Sequence, residues 1–215
     1  MLKDVDVFEK LRKAILNYDS EAVKKAAQEV IADGLDPLQA INTLTETLRQ
    51  VGEKFEKFEI FLPELMMAGD AMKAGMSILL PHIPKEKVPK RACVLIGTVK
   101  GDIHDIGKTI VVSMLVAAGF EVYDVGVDVP ASKFAEESMK VNPDIVAASA
   151  IMTTTVPMLK DLIEYFKAIG IRNKCKIMIG GAPVTKEYSE EIGADGYGAD
   201  AFEAVNVAKK LVSKE

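Results

Sequence analysis

From Cys93 onward the chain alternates short, almost unbroken apolar runs with amphipathic stretches, and few folds accept that rhythm. Cys93–Val99, Glu121–Val127, Asp144–Ile151, Lys176–Ile179 and Ala194–Tyr197 predict strands. Ile106–Ala118, Ser132–Lys140, Pro157–Ile169, Lys186–Ile192 and a last segment reaching Leu211 predict the helices that separate and follow them. A strand without a polar face must be covered on both sides. Strand–helix alternation supplies that cover when the strands run parallel. Residues 91–215 are therefore expected to form an α/β, doubly wound, five-stranded parallel sheet.

This flavodoxin-like half follows a stretch with a different grammar. In residues 1–81 the apolar positions keep helical spacing throughout. Val7, Phe8, Leu11 and Ile15 mark the first face. Asp19 is placed to cap a second segment with Ala22, Val23, Ala26, Ala27, Val30 and Ile31 on one side, and Gly34 ends it. Asp36-Pro37 restarts a helix carrying Leu38, Ile41, Leu44, Leu48 and Val51, and Leu62-Pro63 opens a fourth that runs to about Leu80. Four amphipathic helices on short connections predict a four-helix bundle. Between the halves, Pro81–Lys90 sets three prolines among lysines, and residues 82–90 are expected to be a semi-rigid linker.

Acidic residues outnumber basic ones, and the net charge of −5 argues against a nucleic-acid or anionic-membrane surface. The apolar runs are too short to cross a bilayer. Met1–Lys13 lacks the apolar core of a signal peptide, so a cytoplasmic protein is expected. Two cysteines, Cys93 and Cys175, exclude a disulfide scaffold and read as reduced thiols buried within strands. With only His82 and His104 besides, a zinc site of several His and Cys ligands is not expected.

In a doubly wound sheet, ligands bind beyond the carboxyl ends of the strands. The loop after the first strand, Lys100–Lys108, is polar, carries glycines and holds the one histidine of this half. It matches neither a P-loop nor Gly-x-Gly-x-x-Gly. A neutral imidazole can offer one ring nitrogen to a metal while the other donates to a carboxylate that fixes its tautomer. Asp102, two residues before His104, is placed for that task, and it would equally serve as a helix cap. Gly107 would let a ligand approach the start of the next helix. One histidine cannot hold a bare ion, but it can be the axial ligand of a metal already held in a macrocycle.

Asp102-x-His104-x-x-Gly107 resembles the signature of cobalamin-binding domains. The remaining parts of that signature follow at the family's spacing. After 41 residues comes Ser149-Ala150-Ile151, where the family has Ser-x-Leu, and after 28 more comes Gly180-Gly181. The resemblance implies that His104 binds cobalt in place of the dimethylbenzimidazole tail (base-off, His-on). The freed tail would lie in a slot beside the sheet, near Ser149, Ile151 and Thr153, kept open by Gly180 and Gly181. Thr155 stands where a serine ends the His–Asp relay in methionine synthase, so Asp102 and Thr155 are implied as a relay to the axial histidine. The segments Val51–Phe55 and Ile60–Leu65 resemble the cap over the upper corrin face in methyl-carrying corrinoid proteins, with Phe55, Leu62 and Leu65 as the roof. The likeness runs from about Phe8 to Lys210. It implies cobalamin or a related corrinoid as cofactor, with its cobalt, passing between methylcobalamin and cob(I)alamin. It also implies a methyl carrier of methanogenesis or acetogenesis, without catalysis of its own. A substrate-specific methyltransferase would load it from a methylamine, methanol or methoxy donor. A second methyltransferase would pass the methyl to a thiol or folate-like acceptor, with a reductive activation protein as a further partner.

Other readings stay open at this stage. A cobalamin-dependent sensor or regulatory module can share a bundle and this binding domain, although a DNA-binding regulator would carry a basic helix-turn-helix. The cobalamin subunit of an adenosyl-dependent mutase would lack the helical cap, and a receiver domain would explain neither His104 nor the spacing. Phe55, Leu62 and Leu65 would equally serve a bundle core. Ser149 and Thr153 to Thr155 would equally form turns. The acidic stretch Asp195–Asp200, expected at the carboxyl end of the fifth strand, either lines the slot or faces water.

Overall fold

The computed structural model describes residues 2–83 and 92–213, with side chains from Asp6 onward. The expected linker, beyond its first two residues, lies outside the described residues. The chain divides into two compact units, one helical and one α/β. No described helix is long and apolar enough to cross a membrane.

The helical unit holds α1 (Leu2–Leu16), α2 (Ser20–Ala32), α3 (Pro37–Glu56) and α4 (Leu62–Leu79). Helix α2 begins where the Asp19 carboxylate accepts the N–H groups of Glu21 and Ala22, at 3.1 and 2.9 Å. Beyond its end, Gly34 at φ +66° lets the Leu35 N–H return to the Val30 carbonyl. Asp36 caps α3 through the Leu38 N–H at 2.9 Å, with Pro37 in the first turn. At α4 the residue before the helix, Phe61, has no capping oxygen. The Glu64 carboxylate reaches back to the Phe61 N–H at 2.7 Å and serves that donor instead. The buried stripes are Val23, Ala26, Ala27 and Val30 on α2, Ile41, Leu44, Leu48 and Val51 on α3, and Leu65, Ala68, Met72 and Leu79 on α4. At Gly75 α4 comes close to its neighbours: a Cβ there would lie 2.7 Å from Val23 and 2.9 Å from Leu44.

The α/β unit runs β1 (Cys93–Thr98), α5 (Ile106–Ala117), β2 (Glu121–Asp124), α6 (Ala131–Val141), β3 (Ile145–Ser149), α7 (Pro157–Ala168), β4 (Lys176–Gly180), α8 (Lys186–Ile192), β5 (Gly196–Gly198) and α9 (Ala201–Val212). The strands pair in parallel in the order β2-β1-β3-β4-β5, so the direction of winding reverses between β1 and β3. β1 is buried along its whole length, as its unbroken apolar run requires. Leu95, Val146 and Ile177 pack with Phe134, Leu162 and Phe166 in one continuous core.

β3 ends at Ser149 rather than Ile151, and two further departures from the expected boundaries have an acidic side chain behind them. β2 stops at Asp124 rather than Val127, because the Asp124 carboxylate accepts the N–H of Gly126 at 2.9 Å and Gly126, at φ +94°, turns the chain. β5 starts at Gly196 rather than Ala194, because Asp195 serves as a pin instead. Its carboxylate accepts the Ile177 N–H at 2.6 Å and pairs with Arg172 at 2.8 Å. Asp144 pins β1 in the same way, accepting the Cys93 N–H at 2.8 Å. At the other end of the sheet the register sets Thr98, Ser149, Gly180 and Gly198 side by side in one row across β1, β3, β4 and β5. Cys93 lies in β1 as expected, whereas Cys175 sits just before β4 and is half-buried. Burial pushes both thiols up to about 11.

Candidate functional site

The loop between β1 and α5 is clamped before it reaches His104. Gly101, at φ +82°, turns it, and the Gly101 N–H donates to the Asp128 carboxylate at 2.7 Å. The Asp128 N–H returns to the Asp102 carbonyl at 2.9 Å. Asp102 is thereby turned inward and is 0% exposed. One carboxylate oxygen accepts the His104 N–H at 3.1 Å and faces the His104 Nδ1 at 2.7 Å. The other accepts the N–H groups of Ile151 and Met152 at 2.7 and 3.2 Å, and the Thr155 hydroxyl at 2.7 Å. Burial works to raise the pKa of this acid. The Ile151 N–H, the His104 ring, the Thr155 hydroxyl and the His104 N–H outweigh it and hold the carboxyl well below the usual carboxylate range. An ionised Asp102 can only accept, so Nδ1 carries the proton, and in the neutral ring the free lone pair is then on Nε2. The His104 side chain is 52% exposed. Ile103 and Ile106 flank it at 73% and 75% exposure, an unusual amount of apolar surface for one short loop. Asp102 does not cap α5, which begins four residues later.

At the same end of the sheet a slot of about 260 Å³ opens between the strands and helices α5 and α9. Ile96, Ala147 and Met178 line it from the strands, and Ser149, Gly180 and Gly198 of the row described above complete that wall. Gly107, Ile151 and Gly181 also line it. The two glycines at and just after the end of β4 act on backbone geometry more than by leaving space empty. A Cβ on Gly181, which sits at φ +129°, would lie 1.9 Å from the Ala150 carbonyl oxygen, and one on Gly180 would lie 2.8 Å from that of Gly198. The sequence had not singled out Gly198. It is a slot residue because the register carries it there, opposite Gly180. Lys108 lies in the wall as well, buried and ion-paired with Asp124.

The remaining expected residues divide. Thr155 joins Asp102, while Thr153 is exposed on the β3–α7 connection and lines no part of the slot. The acidic stretch splits: Asp195 precedes β5 and is tied up as a pin, whereas Asp200 lies at the slot and caps α9 through the Glu203 N–H at 2.8 Å. In the helical unit Phe55 and Leu62 are half-buried, but Leu65 is 1% exposed and stands in the buried stripe of α4, where it packs. The exposed apolar side chains near them are Phe58, Phe61, Met66 and Met67. Among the described residues no three His, Cys, Asp or Glu side chains gather as a metal site.

Comparison with known proteins gives the family. The family described as "B12 binding domain" matches residues 92–206, and a second family of the same description matches residues 7–80. Trimethylamine corrinoid protein 2 of Methanosarcina acetivorans is 44% identical over 96% of this chain and 97% of its own length. Dimethylamine corrinoid protein 1 of the same organism is 43% identical over 97% of this chain and 98% of its own. A chain of the methanol:cobalamin methyltransferase complex of Methanosarcina barkeri matches with a TM-score of 0.86 and 30% identity, covering 97% of this chain and 81% of that one. The chain belongs to the family of B12-binding corrinoid proteins, and its cofactor is a corrinoid.

Proposed function

We propose that the protein carries methyl groups on a corrinoid held base-off/His-on by His104, between a methylamine-specific methyltransferase and a second, acceptor methyltransferase. When bound, the corrin's cobalt supplies the centre that accepts and releases the methyl. The residues present fit such a group. The half-exposed imidazole keeps Nε2 for an outside ligand, because Nδ1 is committed to Asp102. The slot, with its glycine-bearing wall, suits a flat, largely apolar tail. The single observation that carries the reading is the His104 Nδ1–Asp102 contact of 2.7 Å, made to a fully buried carboxylate.

Asp102 orients the ring and fixes its tautomer, and Thr155 with the Ile151 N–H orients Asp102 in turn. A metal and a proton compete for Nε2. In the relay so proposed Asp102 keeps its charge and holds the Nδ1 proton, and Nε2 is the atom at which His104 would hold the metal. We place the slot-lining Ser149, Ile151, Gly107, Gly180 and Gly181 around the tail. Phe55 and Leu62 are proposed, by the family resemblance, as apolar cover for the methyl-bearing face. The linker over residues 82–90 is proposed as the division between cap and cofactor domain. The relatives' names support a methylamine donor. Their near-equal identities, 44% and 43%, do not favour trimethylamine over dimethylamine.

The test is the ultraviolet–visible spectrum of the protein loaded with hydroxocobalamin, beside a His104→Ala variant. A base-off/His-on spectrum that is lost in the variant is expected, and an identical spectrum in both would refute the axial role. Mixing the loaded, reduced protein with trimethylamine, dimethylamine and methanol methyltransferases should methylate the corrinoid with an amine enzyme. Methylation with the methanol enzyme alone would overturn the donor class.

A further inference from the structure

Thr98 ends β1, is fully buried, and stands opposite Ser149 in the sheet register. Its hydroxyl lies 3.0 Å from the His104 carbonyl oxygen and 3.1 Å from the Ser149 hydroxyl. A carbonyl can only accept, so the one Thr98 proton goes to His104, and Ser149 must then donate to Thr98. The three groups form a directed chain, Ser149 O–H to Thr98 O–H to His104 C=O. It begins at the wall of the slot and ends on the backbone of the residue whose ring faces out. The other contacts of His104, its N–H and its Nδ1, both go to Asp102. Thr98 therefore holds the remaining polar atom of the histidine backbone.

Ser149 is half-buried, and whatever fills the slot covers it. Excluding water from one end of a hydrogen-bonded chain strengthens the links that follow. We infer that Thr98 is a positioning residue that couples occupancy of the slot to the hold on His104. The inference rests on the corrinoid reading above. The Thr98 hydroxyl should then matter more for a corrinoid that carries a nucleotide tail than for one that lacks it.

The experiment compares hydroxocobalamin with hydroxocobinamide, which has no tail, on wild type, Thr98→Val and Thr98→Ser. Thr98→Val is expected to weaken hydroxocobalamin binding roughly threefold to tenfold more than hydroxocobinamide binding, the size of one net hydrogen bond. The His-on fraction of the bound hydroxocobalamin should fall with it, and Thr98→Ser should restore both. Equal losses for the two corrinoids, with an unchanged His-on spectrum, would show a merely structural threonine and overturn the inference. If Thr98→Val does not fold, Ser149→Ala decides. It leaves His104 untouched, so coupling requires a lower His-on fraction among its bound molecules, and an unmoved fraction overturns the proposal. A wild type with no His-on spectrum would instead overturn the reading of the preceding section, and this inference with it.

Discussion

Asp102 accepts from five donors in a space closed to water. Asparagine in its place would turn an amide N–H₂ toward N–H groups and lose the charge that holds them. Asp102→Asn is expected to weaken hydroxocobalamin binding by about 10- to 100-fold, as loss of the carboxylate behind a metal-bound imidazole does, and an absorbance titration measures it. An acid held ionised by its partners stabilises the fold above its ordinary pKa, near 4, and loses that contribution as the pH falls. The stability gap between wild type and Asp102→Asn in urea melts should therefore close as the pH falls below about 4. A gap that stays open in strong acid would contradict the ionised state. Thr155→Val should cost about 1.5–3 kcal/mol, the worth of a hydrogen bond to a charged group, and Thr155→Ser little. Asp102 and His104 were legible because both sit in one three-residue stretch. Thr98 was not: a threonine at a strand end reads as an ordinary β-former, and its hydroxyl partner in Ser149 is 51 residues away.

Elements were legible where burial on both faces erased the polar alternation, as in β1 and β3, and where caps marked helix starts, as at Asp19 and Asp36. Errors fall at strand ends, and in two of them, at Asp124 and Asp195, an acidic side chain rather than hydrophobicity set the boundary. Leu65 shows the same limit in a helix. Spacing says that it faces something apolar, but not whether that is a cofactor or its own neighbours. Close approaches between elements carry the sharper predictions. Gly181→Ala places a Cβ against a backbone oxygen at a positive φ, and should cost about 3 kcal/mol or more in chemical denaturation. The Cβ of Gly75→Ala meets only side-chain ends on α2 and α3, so about 1–3 kcal/mol is expected there.

At the scale of the whole molecule, the family's three motifs fall on the carboxyl ends of β1, β3 and β4, which the fold brings to one end of the sheet. That convergence is why motifs some 40 and 30 residues apart could be read as one site once a parallel sheet was expected. The donor was not legible, because nothing in the loop or slot addresses the molecule from which the methyl comes. A ligand that binds the folded state alone raises its stability by about 2.7 kcal/mol at a hundred times its dissociation constant. For a chain of this length that is a rise of roughly 5–10 °C in melting midpoint, to be read by circular dichroism with and without hydroxocobalamin. His104→Ala should give a smaller rise, and an unmoved midpoint in wild type would speak against a site formed in the folded chain.

The pins at Asp144 and Asp195 lie at the amino ends of the strands, roughly 16 and 10 Å from the row that walls the slot. A strand is stiff along its length, and a slip of one residue turns every side chain to the opposite face. Alignment fixed by the two carboxylates is therefore passed along the strands to the far edge, where it sets which side chains stand in the row that walls the slot. The shape of the slot is in part surveyed from the opposite end of the sheet, by residues that do not line it.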